Sequence, residues 1–230
     1  MRAIAHIVPH MRNPLHLARA ASALITLVRD PSRLEKVFEL RDAVASKEAL
    51  AFLADHFDRD ELGREALRTR PRLGAIDLAR LASFPDGSLA REFALHMRRA
   101  GLDPAAIPTL PSPDRLSFVS AHLYETHDVW HVVTGFGVDV AGELGLQAFQ
   151  VGQFPARLSM VILAGGIMNT TLYAVDDRAR RFEAIARGWD LGRDAKPFFG
   201  VRWGEPWGEP LVEVRERLGI PRGGVTLRAS

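Results

Sequence analysis

A chain of 230 residues with 47% hydrophobic content is long enough for one sizeable globular domain, or a domain with an appended arm. With no cysteine at all, disulfides, thiolate zinc sites, iron–sulfur clusters and a cysteine nucleophile are excluded together. The formal charge is only +2, yet of 30 Lys+Arg just Lys36, Lys47 and Lys196 are lysines, leaving 27 arginines. Arginine is the better bidentate partner for carboxylate and phosphate, so the surplus suits acidic ligands, although GC-rich codon usage is the better account of it.

The periodicity is helical throughout and strand-like alternation is nearly absent, which points to an all-α fold, a single multi-helix domain over 1–230 with a short arm at 1–12. Asn13-Pro14 reads as an N-cap followed by Pro at N1, opening a helix with Leu17, Ala21, Leu24 and Val28 on one stripe. Asp30-Pro31 ends it and begins the next, with Leu34, Val37, Phe38 and Arg41 at helical spacing. Ser46 caps a third that buries Leu50, Leu53 and Phe57, and a short fourth covers about 73–82. After the turn Phe84-Pro85-Asp86-Gly87-Ser88, a stripe of Leu89, Phe93 and Met97 ends at Gly101, a fitting C′ residue. Pro104, Pro108, Pro111 and Pro113 make 102–114 a connecting loop within the domain. A helix over about 114–133 follows, then helices near 144–152 and 158–168, an Arg-rich helix at 176–187, a Gly/Trp-rich loop and a last helix at about 209–218. Trp189, Trp203 and Trp207 are assigned to that loop as a buried aromatic cluster. The longest apolar run, Leu158 to Met168, is eleven residues, short of the roughly 18 needed to cross a bilayer. It reads as a buried or interfacial helix. With neither a signal-peptide pattern nor an Arg/Ser-rich transit pattern at the start, a cytoplasmic location is expected.

The histidines carry the chemistry. Of eight, His122, His127 and His131 fall within ten residues and none follows. On a helix, steps of three and four keep Leu116, Val119, Leu123, His127 and His131 on one stripe, so both imidazoles point inward. Asp128 lies about 100° from His127 and about 60° from His131, near enough to share their site. Glu143 comes twelve residues after His131, beyond a bend containing Gly135, Gly137 and Gly142 that turns the chain back. Two histidines, an aspartate and a glutamate converging on one point make a mononuclear metal site over 127–143. The donor set allows zinc, iron(II), manganese or magnesium as the one divalent ion. Asp stands where the H-E-x-x-H peptidase motif carries its general base, so peptidase chemistry is not expected.

His127-Asp128, His131 and Glu143, read as H-D-x-x-H, eleven residues and E, resemble the motif of the coenzyme Q biosynthesis protein four family, in a bacterial version. Other segments agree in order: Arg29-Asp30-Pro31-Ser32-Arg33, Gly63-Arg64, Arg70-Pro71-Arg72, Phe84 to Leu89, and Arg202-Trp203-Gly204-Glu205-Pro206-Trp207 with Leu211, Arg215 and Leu218. The similarity covers roughly residues 20–220. One departure is the adjacency of Tyr124 and Glu125, between which the family commonly carries an Arg. The resemblance implies an all-helical protein that binds a polyprenylated aromatic precursor at or near the inner face of a membrane. It implies decarboxylation of that precursor, oxidative or plain, with zinc the favoured ion held by His127, Asp128, His131 and Glu143. It also implies contact with other quinone-biosynthesis proteins.

Two alternatives stand beside it. A non-catalytic lipid-binding or scaffold module with a structural metal is one. The other is an HD-type phosphohydrolase, in which His96 with Asp176 or Asp190 completes the His127-Asp128 pair, leaving His131 and Glu143 without a metal role. Arginines interleaved with acids, and not gathered into a stripe, argue against nucleic acid. A homodimer remains open.

Overall fold

A computed structural model describes residues 14–31, 33–104 and 109–227. The arm at 1–12, the stretch 105–108 of the proline-rich loop, and the side chains of Leu17 and Leu34 lie outside the described residues. Among those described there are twelve α-helices and no strand, so the all-α reading holds. They are α1 (Pro14–Arg29), α2 (Leu34–Val44), α3 (Lys47–Phe57), α4 (Glu61–Thr69), α5 (Leu78–Ala82), α6 (Leu89–Ala100), α7 (Arg115–Glu125), α8 (His127–Thr134), α9 (Val140–Gln153), α10 (Arg157–Tyr173), α11 (Arg178–Asp194) and α12 (Leu211–Leu218).

Where caps are local, boundaries follow from them. Ser46, Ser88 and Asp114 each accept a backbone N–H at the start of α3, α6 and α7. Gly101 closes α6 in the left-handed region at φ +66. The α6 stripe is core: Leu89 and Met97 have no exposed surface and Phe93 only 1%.

Four expectations need correction. The helix expected over 114–133 is two, parted at Thr126 (φ −97, ψ −5), whose hydroxyl donates back to the His122 carbonyl, a bond that bends helices. The segment at 73–82 shortens to α5, while α4, capped by Asp60, carries too few apolar residues to announce itself. The Arg-rich helix runs on to Asp194, so Trp189 belongs to α11 and is exposed, with the Arg193 guanidinium over its ring; it takes no part in an aromatic cluster. Trp203 and Trp207 do pack inward, against Phe198 and Phe93 respectively.

The fourth concerns α10. Its buried residues are Ser159, Gly165, Asn169 and Thr170, while Met160, Ile167, Met168, Leu172 and Tyr173 are exposed. The helix is inside out. A buried polar knot explains the inward face: Arg181 on α11 donates to Asp177, Asn169 and Thr170, and Asn169 donates to the Val28 carbonyl on α1.

The centre of the molecule is aromatic. Trp130 meets Phe149, Phe154 and Phe198 edge-on, and Phe57 stacks on Phe199. Behind it α9 and α11 make the closest crossing. A Cβ at Gly188 would collide with the Gly145 carbonyl, and one at Gly192 with that of Phe149. The register advances together on both helices, so they run parallel, with α10 as the return.

Arginine forks tie loops to this frame. Arg72 binds both Glu125 oxygens, Ser112 Oγ and the Leu110 carbonyl. Arg215 donates to the carbonyls of Val132, Val133 and Arg222. His122 is held neutral, burial pushing its imidazole down to about 4, and its Nε2 accepts the Gly200 N–H at 3.3 Å.

Candidate metal centre

His127 and His131 sit one turn apart on α8, with ring centroids 4.8 Å apart and Nε2 atoms 3.2 Å apart. His131 is 1% exposed, and its Nδ1 lies 3.1 Å from the Phe136 carbonyl. A carbonyl only accepts, so Nδ1 carries the proton and the Nε2 lone pair faces His127 and Glu143. Gly135 puts that carbonyl in place. It ends α8 at φ +88, and a Cβ there would stand 2.7 Å from Val225 N. The neighbouring carbonyls are satisfied from outside, Thr134 by the Val225 N–H and Val132 and Val133 by Arg215.

The glycine-containing bend then delivers Glu143, as the spacing requires. Asp139 caps α9 through Gly142 N–H and pairs with Arg180 of α11. Glu143 falls in the first turn of α9, where the positive end of the helix favours a carboxylate. Its Oε1 is 3.2 Å from His131 Nε2 and its Oε2 3.7 Å from His127 Nε2. Ligand atoms of His127, Asp128 and His131 lie within 4.8 Å of one another. The structure therefore groups His127, Asp128 and His131, with Glu143 beside the two histidines and outside that mutual group.

Their electrostatics couple the carboxylates to the imidazoles. Burial alone would raise the Glu143 carboxyl, but the imidazoles of His131 and His127 outweigh it and hold Glu143 well below the usual carboxylate range. Burial would lower His127, yet Glu143 and Asp128 raise it. With Nδ1 of His131 donating to Phe136, a neutral ring turns its Nε2 lone pair toward Glu143 Oε1, an arrangement that a cation between them would relieve. Zinc–nitrogen bonds of roughly 2.0–2.1 Å place two nitrogens of a tetrahedral ion about 3.3 Å apart, close to the observed 3.2 Å. The residues fit a divalent ion.

One neighbour, which the sequence offers only as the upstream histidine of the phosphohydrolase alternative, adjoins the four. His96 of α6 lies beside His131, ring centroids 5.8 Å apart and planes 24° apart. No local signal marks it, because it reaches the motif only through the packing of α6 on α8. Asp176 and Asp190, the partners an HD-type phosphohydrolase needs, are exposed and stand outside the His127–Asp128–His131 group.

Comparison with known proteins gives the family. Residues 6–223 match the family model described as coenzyme Q (ubiquinone) biosynthesis protein Coq4. The chain is 30% identical to the rat mitochondrial ubiquinone biosynthesis protein COQ4 homolog over 205 residues, 87% of this chain and 76% of that protein. It is 28% identical to the mitochondrial coq4 protein of Aspergillus niger, over 92% of this chain and 72% of that one. A crystal structure of a Nostoc punctiforme protein, provisionally assigned to ubiquinone biosynthesis, superposes with a TM-score of 0.77 at 26% identity, covering 88% of this chain and 97% of the other. The chain belongs to the Coq4 family of ubiquinone biosynthesis proteins.

Proposed function

We propose that this protein is a metal-dependent decarboxylase acting on a polyprenylated hydroxybenzoate-type precursor of ubiquinone. The ring carboxyl leaves as carbon dioxide and a proton takes its place on the ring; the oxidative version, which puts a hydroxyl there, also consumes a two-electron oxidant such as dioxygen. The convergence of His127, Asp128, His131 and Glu143 carries this reading. A divalent ion held there, zinc by preference, supplies Lewis-acid binding of the substrate's carboxylate or phenolate and stabilises charge as the carboxyl leaves. The chain's own residues provide orientation. His131 is locked by Phe136, and Glu143 is set by the α9 cap. His127 and Glu143 keep about a third of their surface exposed (29% and 33%) and form the side from which a ring enters. The test is carbon dioxide release from a short-chain prenyl 4-hydroxybenzoate by metal-loaded protein. Release is expected from the wild type and not from His127→Ala. A His127→Ala chain that sustains full quinone synthesis in cells would overturn the catalytic reading in favour of a scaffold.

The same proposal includes a peripheral lipid contact. Among the described residues no single helix is long and apolar enough to cross a membrane. Met160, Ile167, Met168, Leu172 and Tyr173 of α10 are exposed, as are Val175 and Phe182 beyond it, and exposed apolar clusters of this kind mark interaction surfaces. Met168→Asp with Leu172→Asp is expected to reduce co-sedimentation with phospholipid vesicles by about tenfold, from the apolar area lost, leaving Tm unchanged. Wild-type protein that stays in the supernatant would sink the lipid contact.

A further inference from the structure

His96 Nε2 is buried and has no hydrogen-bond partner. Such an atom costs a folded protein about 1–3 kcal/mol, and one beside a metal-ligating cluster invites the question of what satisfies it. Its ring lies against His131, and its electrostatic neighbours are His131, Asp128, Glu143 and His127, all four residues of the centre. A ring nitrogen that carries its proton can donate to a ligand oxygen.

We propose that His96 is a positioning residue whose Nε2 hydrogen-bonds an oxygen of the aromatic carboxylate bound at this centre, holding the ring's carboxyl in one orientation. The inference rests on the proposed metal and substrate class. The bond completes the orphaned nitrogen only when ligand is present, so the stability cost is offset by binding, as expected of groups retained for function.

Two variants separate this role from packing. His96→Phe keeps a planar ring against His131 and removes both nitrogens, and His96→Gln keeps a polar terminus. The probe is a geranyl-bearing 4-hydroxybenzoate, titrated into cobalt(II)-loaded protein and followed by the visible spectrum. His96→Phe is expected to weaken probe binding about tenfold, the size of a hydrogen bond to a charged group. Cobalt affinity should stay within about threefold and Tm should equal or exceed that of the wild type, because an unsatisfied buried atom has gone. His96→Gln is expected to recover most of the affinity. Unchanged probe affinity in His96→Phe, with wild-type protein binding cobalt and probe normally, overturns the inference alone. So does a fall in cobalt affinity, or in Tm, that accounts for the weakened binding. Wild-type protein that binds neither cobalt nor probe removes the proposed function and this inference with it.

Discussion

His131→Ala is expected to abolish metal retention. Of the four converging side chains His131 is the one with no exposed face to spare, at 1%, and the one whose tautomer is fixed by a backbone carbonyl. Removing it breaks four contacts at once: the Phe136 carbonyl loses its donor, Glu143 Oε1 and His127 Nε2 each lose a nitrogen at 3.2 Å, and His96 loses the ring it lies against. Disturbing an outer-shell partner typically costs ~10–100-fold in metal affinity, so loss of a ligand should exceed ~100-fold. Metal per chain after dialysis against a weak chelator reads this directly. Tm provides a second reading. An ion at 100 times its Kd stabilises the folded state by about 2.7 kcal/mol, which for a chain this size raises Tm by about 5–11 °C. The shift should be present in wild-type protein and absent in His131→Ala. Retention of one ion per chain, with the full shift in Tm, would contradict the assignment of this side chain.

The second large effect lies away from the centre. Gly188→Leu is expected to destabilise the fold by about 3 kcal/mol or more, the upper range for overpacking, lowering Tm by about 6–12 °C. The cause is backbone against backbone: even a single added carbon meets the Gly145 carbonyl, which cannot rotate away as a side chain can. Because α9 also carries Glu143, parting α9 from α11 should loosen metal affinity together with stability. Urea unfolding with and without added zinc measures both. A variant as stable as the wild type would show that the crossing tolerates more space than the geometry allows.

What the sequence disclosed depended on how local the signal was. Ser88 and Gly101 bracket α6 because each acts within one turn of its own position. The metal motif was legible for a related reason: His127, Asp128 and His131 share one short helix, and a single capped bend returns Glu143. His96 entered the sequence reading only as a nominal partner of His127-Asp128, because only tertiary packing brings α6 to α8. Composition left the apolar run in α10 either buried or interfacial, and the Arg181–Asn169 knot on its inner face excludes the buried reading. The arginine surplus gains a physical reading here. Arg72, Arg181 and Arg215 each satisfy three or more acceptors, a task that suits a planar fork better than an ammonium.

The α9–α11 crossing also shapes how this protein can change over generations. A buried Leu has Met or Ile close by in chemistry and often in codon, so such positions drift at modest cost. At Gly188 and Gly192 every missense change, whatever base is altered, introduces a side-chain carbon where a carbonyl already stands. These positions have no conservative substitute. Drift in the surrounding core therefore has to proceed around them, with both helices keeping their separation while their other faces vary.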